Sequence, residues 1–153
     1  MYYVVLKSAI ELDDVGVVST EIKRRLEKMQ VEREIVRRVA VICFEAEMNL
    51  VLYTVRGGEI EVRVKPDMID IYIRDDGPGI EDIEQAMQPG YSTAPMWVHE
   101  MGFGAGMGLP NIKKQSDEFE IESEVGKGTI IHAVILREGR SERGEGNEAE
   151  RDC

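Results

Sequence analysis

The sequence predicts a two-layer α/β sandwich, with a mixed, mostly antiparallel sheet covered on one face by helices. Three observations lead there. Two consecutive stretches carry apolar residues at helical spacing, later stretches alternate apolar and polar residues, and glycine-rich junctions separate them. Strands wet on one face need a cover only on the other, which amphipathic helices supply. The 153 residues suit one hydrophobic core, and 42% hydrophobic with 32% charged residues provides both a dry interior and a solvated exterior.

Taken in chain order, residues 2–7 are rich in β-branched and aromatic side chains and read as a first strand. Asp13 and Asp14 are N-cap candidates for a first helix with Val15, Val18, Ile22, Leu26 and Met29 on its dry side. A second helix follows with Ile35, Val39, Ile42, Cys43, Ala46, Leu50 and Tyr53 in phase. The period then changes. Ile60, Val62 and Val64 alternate with charges, as do Ile69, Ile71 and Ile73 after the break at Pro66 and Asp67. Residues 80–87 read as a short helix, and residues 88–105, with two prolines and three glycines, as a long binding loop or lid. Helical spacing resumes from Ile112, Phe119 and Ile121 alternate with glutamates, and residues 129–136 form a last, more apolar strand. A folded domain is expected over residues 1–136, and a disordered charged tail over residues 137–153.

A formal net charge of -11 repels phosphate backbones and anionic lipid headgroups, so nucleic acid and membrane surfaces are not expected partners. Lys23, Arg24 and Arg25 lie among Glu21 and Glu27, and Arg37 and Arg38 near Glu32 and Glu34, as on a salt-bridged helix surface. The longest apolar run, residues 39–44, is too short to cross a bilayer, and no signal-peptide pattern opens the chain, so a cytoplasmic location is expected. Cys43 reads as a small buried hydrophobe, and Cys43 and Cys153 have no framework or metal-ligand spacing.

Four segments carry chemistry. Glu45 and Asn49, four apart on the second helix, share a face at the border of its apolar stripe. A carboxylate there suits a general base and an amide oxygen a magnesium ligand, although such a pair alone also reads as structural. Asp75, Asp76, Gly77, Pro78 and Gly79 end an alternating strand. An acid fixed there accepts a hydrogen bond from an exocyclic amine such as that of adenine, while glycines admit close approach; in isolation it is also an ordinary acidic turn. Gly102, Gly104, Gly106 and Gly108, with Met107 among them, run into a helix and expose N–H groups suited to phosphate. Neither the P-loop nor the dinucleotide fingerprint fits them. Finally, Gly126, Lys127, Gly128 and Thr129 form a tight hairpin with a hydroxyl at the strand start.

The order and spacing of these pieces resemble the GHKL ATPase superfamily across residues 2–136, and imply its Bergerat-type ATP-binding fold. Glu45 and Asn49 match the N box, Asp75, Gly77 and Gly79 the first glycine box, Gly104, Gly106 and Gly108 the second, and Gly126, Gly128 and Thr129 the third. Within it the chain is most similar to the RsbT-like serine/threonine switch kinases of partner-switching pathways. By that resemblance Asp75 binds the adenine amine, Gly79 and Thr129 support that contact through water, Gly77 belongs to the same ATP-binding pocket, and Asn49 coordinates Mg2+. Gly104, Gly106, Met107 and Gly108 meet the phosphates of ATP, and Glu45 is the catalytic base. The implied substrate is a STAS-domain protein, with a sigma factor or phosphatase as further partner. An alternative is an anti-sigma-like or activator module that uses ATP state to select partners, and an exposed first strand offers a route to a homodimer. Two features depart from the superfamily pattern: Tyr53, where many members have His or Lys, and a lid insertion at residues 94–101 containing Met96, Trp97, Val98 and His99. His132 is read as structural.

Overall fold

The computed structural model describes residues 2–8, 16–53, 58–88 and 108–137. In chain order these form β1 (Tyr2–Ser8), α1 (Val17–Lys28), α2 (Arg33–Tyr53), β2 (Gly58–Val64), β3 (Met68–Asp75), α3 (Ile83–Ala86), α4 (Gly108–Gln115), β4 (Glu118–Glu124) and β5 (Gly128–Leu136). The five strands make one sheet in the order β1-β2-β3-β5-β4. All four ladders are antiparallel, which accords with the mostly antiparallel sheet expected.

Register follows from alternation. Ile60 pairs with Ile73, Val62 with Ile71 and Val64 with Ile69, while across the other edge of β3 Ile71 meets Ala133 and Ile73 meets Ile131. These side chains form one dry layer with Ile22 and Leu26 of α1, Val39, Ile42, Cys43 and Ala46 of α2, and Ile112 of α4. A one-residue slip would turn every one of them to the wet face, so the apolar pattern fixes the pairing. Burial pushes the Cys43 thiol up, and the nearby Glu47 charge pushes it further, so this cysteine packs as an inert hydrophobe.

The opposite face is wet but ordered. Tyr72 stacks on His132 with ring centroids 4.3 Å apart, and the Arg63 and Arg74 guanidiniums lie 4.8 and 4.9 Å from its centre. Asp70, only 3% exposed, pairs with Lys65 at 2.7 Å and with His132 Nε2 at 2.8 Å. Burial would raise its carboxyl, but these two partners outweigh burial and hold it below the ordinary aspartate value. His132 is thus structural, as expected. On the edge strand β4, Glu118, Glu120, Glu122 and Glu124 alternate with half-buried residues and all four are exposed.

Four local expectations change. The capping candidates Asp13 and Asp14 lie outside the described residues, and α1 begins after Gly16, which makes no side-chain cap. The cap comes from α2 instead: Glu47, fully buried, accepts from the N–H groups of Gly16 at 2.9 Å, Val18 at 3.1 Å and Ser19 at 2.8 Å. A carboxylate satisfies these orphan donors and the positive helix end together. The short helix expected over residues 80–87 shrinks to Ile83–Ala86, because Asp82 caps it through Gln85 N–H at 3.0 Å and the Ile80 N–H is taken by Ser123 Oγ at 2.7 Å. Arg38, read as surface charge, instead donates to the Gln115 carbonyl at 2.9 and 2.6 Å. Arg137, assigned to the charged tail, is buried, because its guanidinium donates to the Lys65 carbonyl at 2.7 Å and to Glu32 at 3.2 Å.

Glu47→Gln is expected to destabilise the fold by about 1–3 kcal/mol, since an amide oxygen cannot accept from all three N–H donors as the carboxylate does. A shift of the urea midpoint to lower concentration measures it, and an unmoved midpoint would show that the cap carries no stability.

Candidate functional site

Helix α2 and helix α4 lie side by side, joined by two polar contacts and one close approach. Gly108, the first residue of α4, lies directly under the Asn49 amide: a Cβ at this position would stand 2.8 Å from Asn49 Oδ1. One turn on, Asn111 Nδ2 donates to Glu45 Oε2 at 3.0 Å. At the far end Arg38 holds the Gln115 carbonyl and lies 3.3 Å from Asp117. Along α2 the order is Arg38, Glu45, Asn49, and along α4 it is Gln115, Asn111, Gly108, so the helices run antiparallel. Ile112, fully buried, sits on the same side of α4 and enters the core. Pro110 is tolerated in the first turn of α4, where its missing N–H costs no helical bond.

The second half of the site is the junction of β3, β4 and β5. Asp75 ends β3 opposite Thr129, and its Oδ1 accepts the Gly77 N–H at 2.8 Å. Gly128 presses so close that a Cβ would fall 2.1 Å from the Asp75 carbonyl oxygen, and its φ of 126° is also one that side chains resist. Gly79, at φ 82°, packs against the Glu124 backbone, and the Pro78 carbonyl accepts the Gly126 N–H at 2.8 Å. Ser123 Oγ joins the parts: it accepts from Ile80 N–H, lies 2.8 Å from Thr129 Oγ1 and donates to the Gly128 carbonyl at 3.1 Å. Thr129 is buried and Asp75 partly so. Burial pushes the Asp75 carboxyl above its ordinary value, the neighbouring Asp76 adds to this, and N–H donation from Gly77 and Thr129 opposes it.

Gly58 links the halves. A Cβ there would meet Leu50 Cδ2 at 2.7 Å and Asp75 Cβ at 3.2 Å, so Asp75 and the residue after Asn49 close on the same stretch of backbone. Of the residues singled out from sequence, Glu45, Asn49 and Gly108 therefore form one cluster, and Asp75, Gly77, Gly79 and Thr129 an adjoining one. Gly104, Gly106 and Met107, the lid insertion at 94–101 and Cys153 lie outside the described residues. Among the described residues no group of three or more His, Cys, Asp or Glu is placed to hold a metal, and no helix is long and apolar enough to cross a membrane.

Three contributors escaped the sequence reading. Ser123 carried a signal, being the hydroxyl that replaces the next apolar residue after Phe119 and Ile121. Glu47 carried another, a charge inside the dry stripe between Cys43 and Leu50. Asn111 had only its position three residues after Gly108.

The profile of the family described as histidine kinase-, DNA gyrase B-, and HSP90-like ATPase matches residues 34–139. The serine/threonine-protein kinase RsbT of Bacillus subtilis (strain 168) is 35% identical over 101 residues, covering 63% of this chain and 69% of that protein. The anti-sigma F factor of Pasteuria penetrans is 33% identical over 75 residues, and that of Thermoanaerobacter sp. (strain X514) 42% identical over 72. The chain spans about half the length of these two relatives, 47% in each. Among solved structures, the SiaB-SiaC complex from Pseudomonas aeruginosa aligns with a TM-score of 0.55 and 14% identity over 86% of this chain and 88% of that one. The mycobacterial sensor histidine kinase MprB aligns with a TM-score of 0.51 and 17% identity over 88% and 97%. At these identities the structures share the fold.

Because its folded-state value is raised, Asp75 binds a proton more tightly in the folded chain than in the unfolded one. Its negative charge therefore costs stability as pH rises from the ordinary 3.8 through the raised value. Asp75→Asn is expected to unfold at an equal or higher urea midpoint than the unaltered chain at pH 7, with the difference vanishing below the ordinary aspartate range. A lower midpoint at pH 7 would show that the turn contacts of Asp75 outweigh the cost of its buried charge.

Proposed function

We infer that this chain, which belongs to the histidine kinase-, DNA gyrase B-, and HSP90-like ATPase family, is an ATP-dependent serine/threonine protein kinase of a partner-switching pathway. Its phosphoryl acceptor is a STAS-domain protein. The observation that carries this reading is the placement of Glu45 and Asn49 against the first turn of α4, on the same helix end that meets Asp75 across Gly58. The 35% identity to a serine/threonine-protein kinase supports it.

In this reading Asp75 accepts a hydrogen from the adenine amine, with Thr129 beside it, and Gly77 and Gly79 leave room for the ring. Gly108 borders the phosphates with Gly104, Gly106 and Met107, the last three resting on the family resemblance alone. Asn49 is the magnesium ligand. Its amide carries a hard, neutral oxygen on a half-buried side chain beside α4, and a single protein oxygen suits an ion held mainly by phosphates and water. When bound, magnesium neutralises charge on the phosphates. Glu45 accepts the proton of the incoming Ser or Thr hydroxyl as its oxygen attacks the γ-phosphorus, the bond to the β–γ bridging oxygen breaks, and ADP departs.

Identity to two anti-sigma F factors, 33% and 42%, supports a second role for the same chain: holding a sigma factor or another protein partner according to nucleotide state. Strand β1, at one edge of the sheet, is where a second copy would add in a homodimer. A cytoplasmic location fits these roles.

Full-length protein incubated with γ-labelled ATP, magnesium and its STAS-domain partner is expected to label Ser or Thr. Glu45→Gln lowers the rate at least ~100-fold, within the range for loss of a general base. Asp75→Asn removes ATP binding in calorimetry. Transfer by Glu45→Gln at the unaltered rate would refute the assigned base, and partner capture that survives Glu45→Gln but fails in Asp75→Asn would favour the binding role.

A further inference from the structure

Glu45 is the residue on which the proposed chemistry turns, and a carboxylate on a long side chain must be aimed before it serves as a base. Its partner is Asn111, half-buried in the first turn of α4, whose Nδ2 lies 3.0 Å from Glu45 Oε2. Among the described residues the other carboxylate oxygen, Oε1, has no hydrogen-bond partner. Asn111 is itself held in place. Gly108 fits under Asn49 on one side of it, Ile112 is fully buried beside it, and Arg38 fixes the far end of α4 through the Gln115 carbonyl. The donor thus sits on a helix clamped at both ends to the helix that carries its acceptor.

The chemistry of an amide suits this task. A hydrogen bond to an ionised acceptor is stronger than one between neutral groups, so it confines the carboxylate to one rotamer. A guanidinium or ammonium in its place would also aim the carboxylate, but its positive charge would weaken the carboxylate's hold on a proton. Asparagine aims without charge.

We propose that Asn111 is a positioning residue for phosphoryl transfer: its amide holds Glu45 through Oε2 and leaves Oε1 as the oxygen that receives the acceptor's proton. This rests on the kinase reading above. As the acceptor oxygen bonds to the γ-phosphorus and the bond to the β–γ bridging oxygen breaks, the hydroxyl proton passes to Oε1 and ADP leaves.

The test follows ADP release from magnesium-ATP by the full chain, with water as acceptor. Asn111→Ala is expected to lower kcat roughly 100-fold, the scale of a misplaced catalytic group, with KM for ATP unchanged. Asn111→Gln, which keeps a donor, recovers part of the rate. Asn111→Asp, of nearly the same shape, falls below Asn111→Ala because it sets one carboxylate against another. In a Glu45→Gln background Asn111→Ala adds no further loss, as for two residues acting as one unit. If Asn111→Ala fails to fold, the Gln and Asp variants decide. Equal kcat in the unaltered chain and in Asn111→Asp, or losses that add in the double variant, would overturn the proposal while the kinase reading stands. A Glu45→Gln variant that releases ADP as fast as the unaltered chain would overturn the assigned base and this role with it.

Discussion

The site depends on α2 being pinned on both of its flanks. One flank holds α4 through Asn49 over Gly108, Glu45 to Asn111 and Arg38 to the Gln115 carbonyl. The other holds α1 through Glu47. Between these flanks runs the dry stripe of Val39, Ile42, Cys43 and Ala46, pressed on the isoleucines of β2 and β3. Burial of that stripe supplies most of the driving force, at ~25 cal/mol per Å² of apolar surface. The polar contacts on its flanks add little net energy by comparison. They fix rotation and register, which apolar burial alone leaves loose, and register is what decides where Glu45 and Asn49 point.

The fold was largely legible because its periods are clean. Strands alternating Ile and Val with charges, and helices with one dry face, leave a single register that buries the apolar set. The site was legible for a different reason. Glu45 and Asn49 share a helix face, and Asp75, Gly77, Gly79, Gly128 and Thr129 sit at strand ends and turns where glycine signals close backbone approach. What escaped were contacts between elements far apart in sequence. Glu47 caps a helix about thirty residues earlier, with spans of 28 to 31. Asn111 reaches Glu45 across 66 residues and Arg137 reaches Glu32 across 105. No local pattern encodes such a partner. A charge in a dry stripe announces that a partner exists without saying which.

The wet face of the sheet shows the same division of labour. Asp70 and Glu61 are buried there; against the opposing effect of burial, Lys65 and a hydrogen bond to His132 hold the Asp70 carboxyl below the ordinary range, and Arg63 and Arg74 do so for Glu61. For Glu61 the largest influence is its hydrogen bond to Arg63, with Arg74 adding to it against the opposing effect of burial. Surface ion pairs are individually weak, but a buried carboxylate without its partners would be costly, so this network constrains β2, β3 and β5 in their mutual register from the solvent side.

The glutamates of β4 give the sheet a direction. An incoming strand that tried to lengthen the sheet beyond β4 would run beside four like charges at alternate positions, and only a strand rich in lysine or arginine would tolerate that neighbourhood. The opposite border, β1, carries a single charged residue, Lys7, among Tyr2, Tyr3, Val4, Val5 and Leu6. The sheet is therefore fenced at its β4 margin against uncontrolled polymerisation.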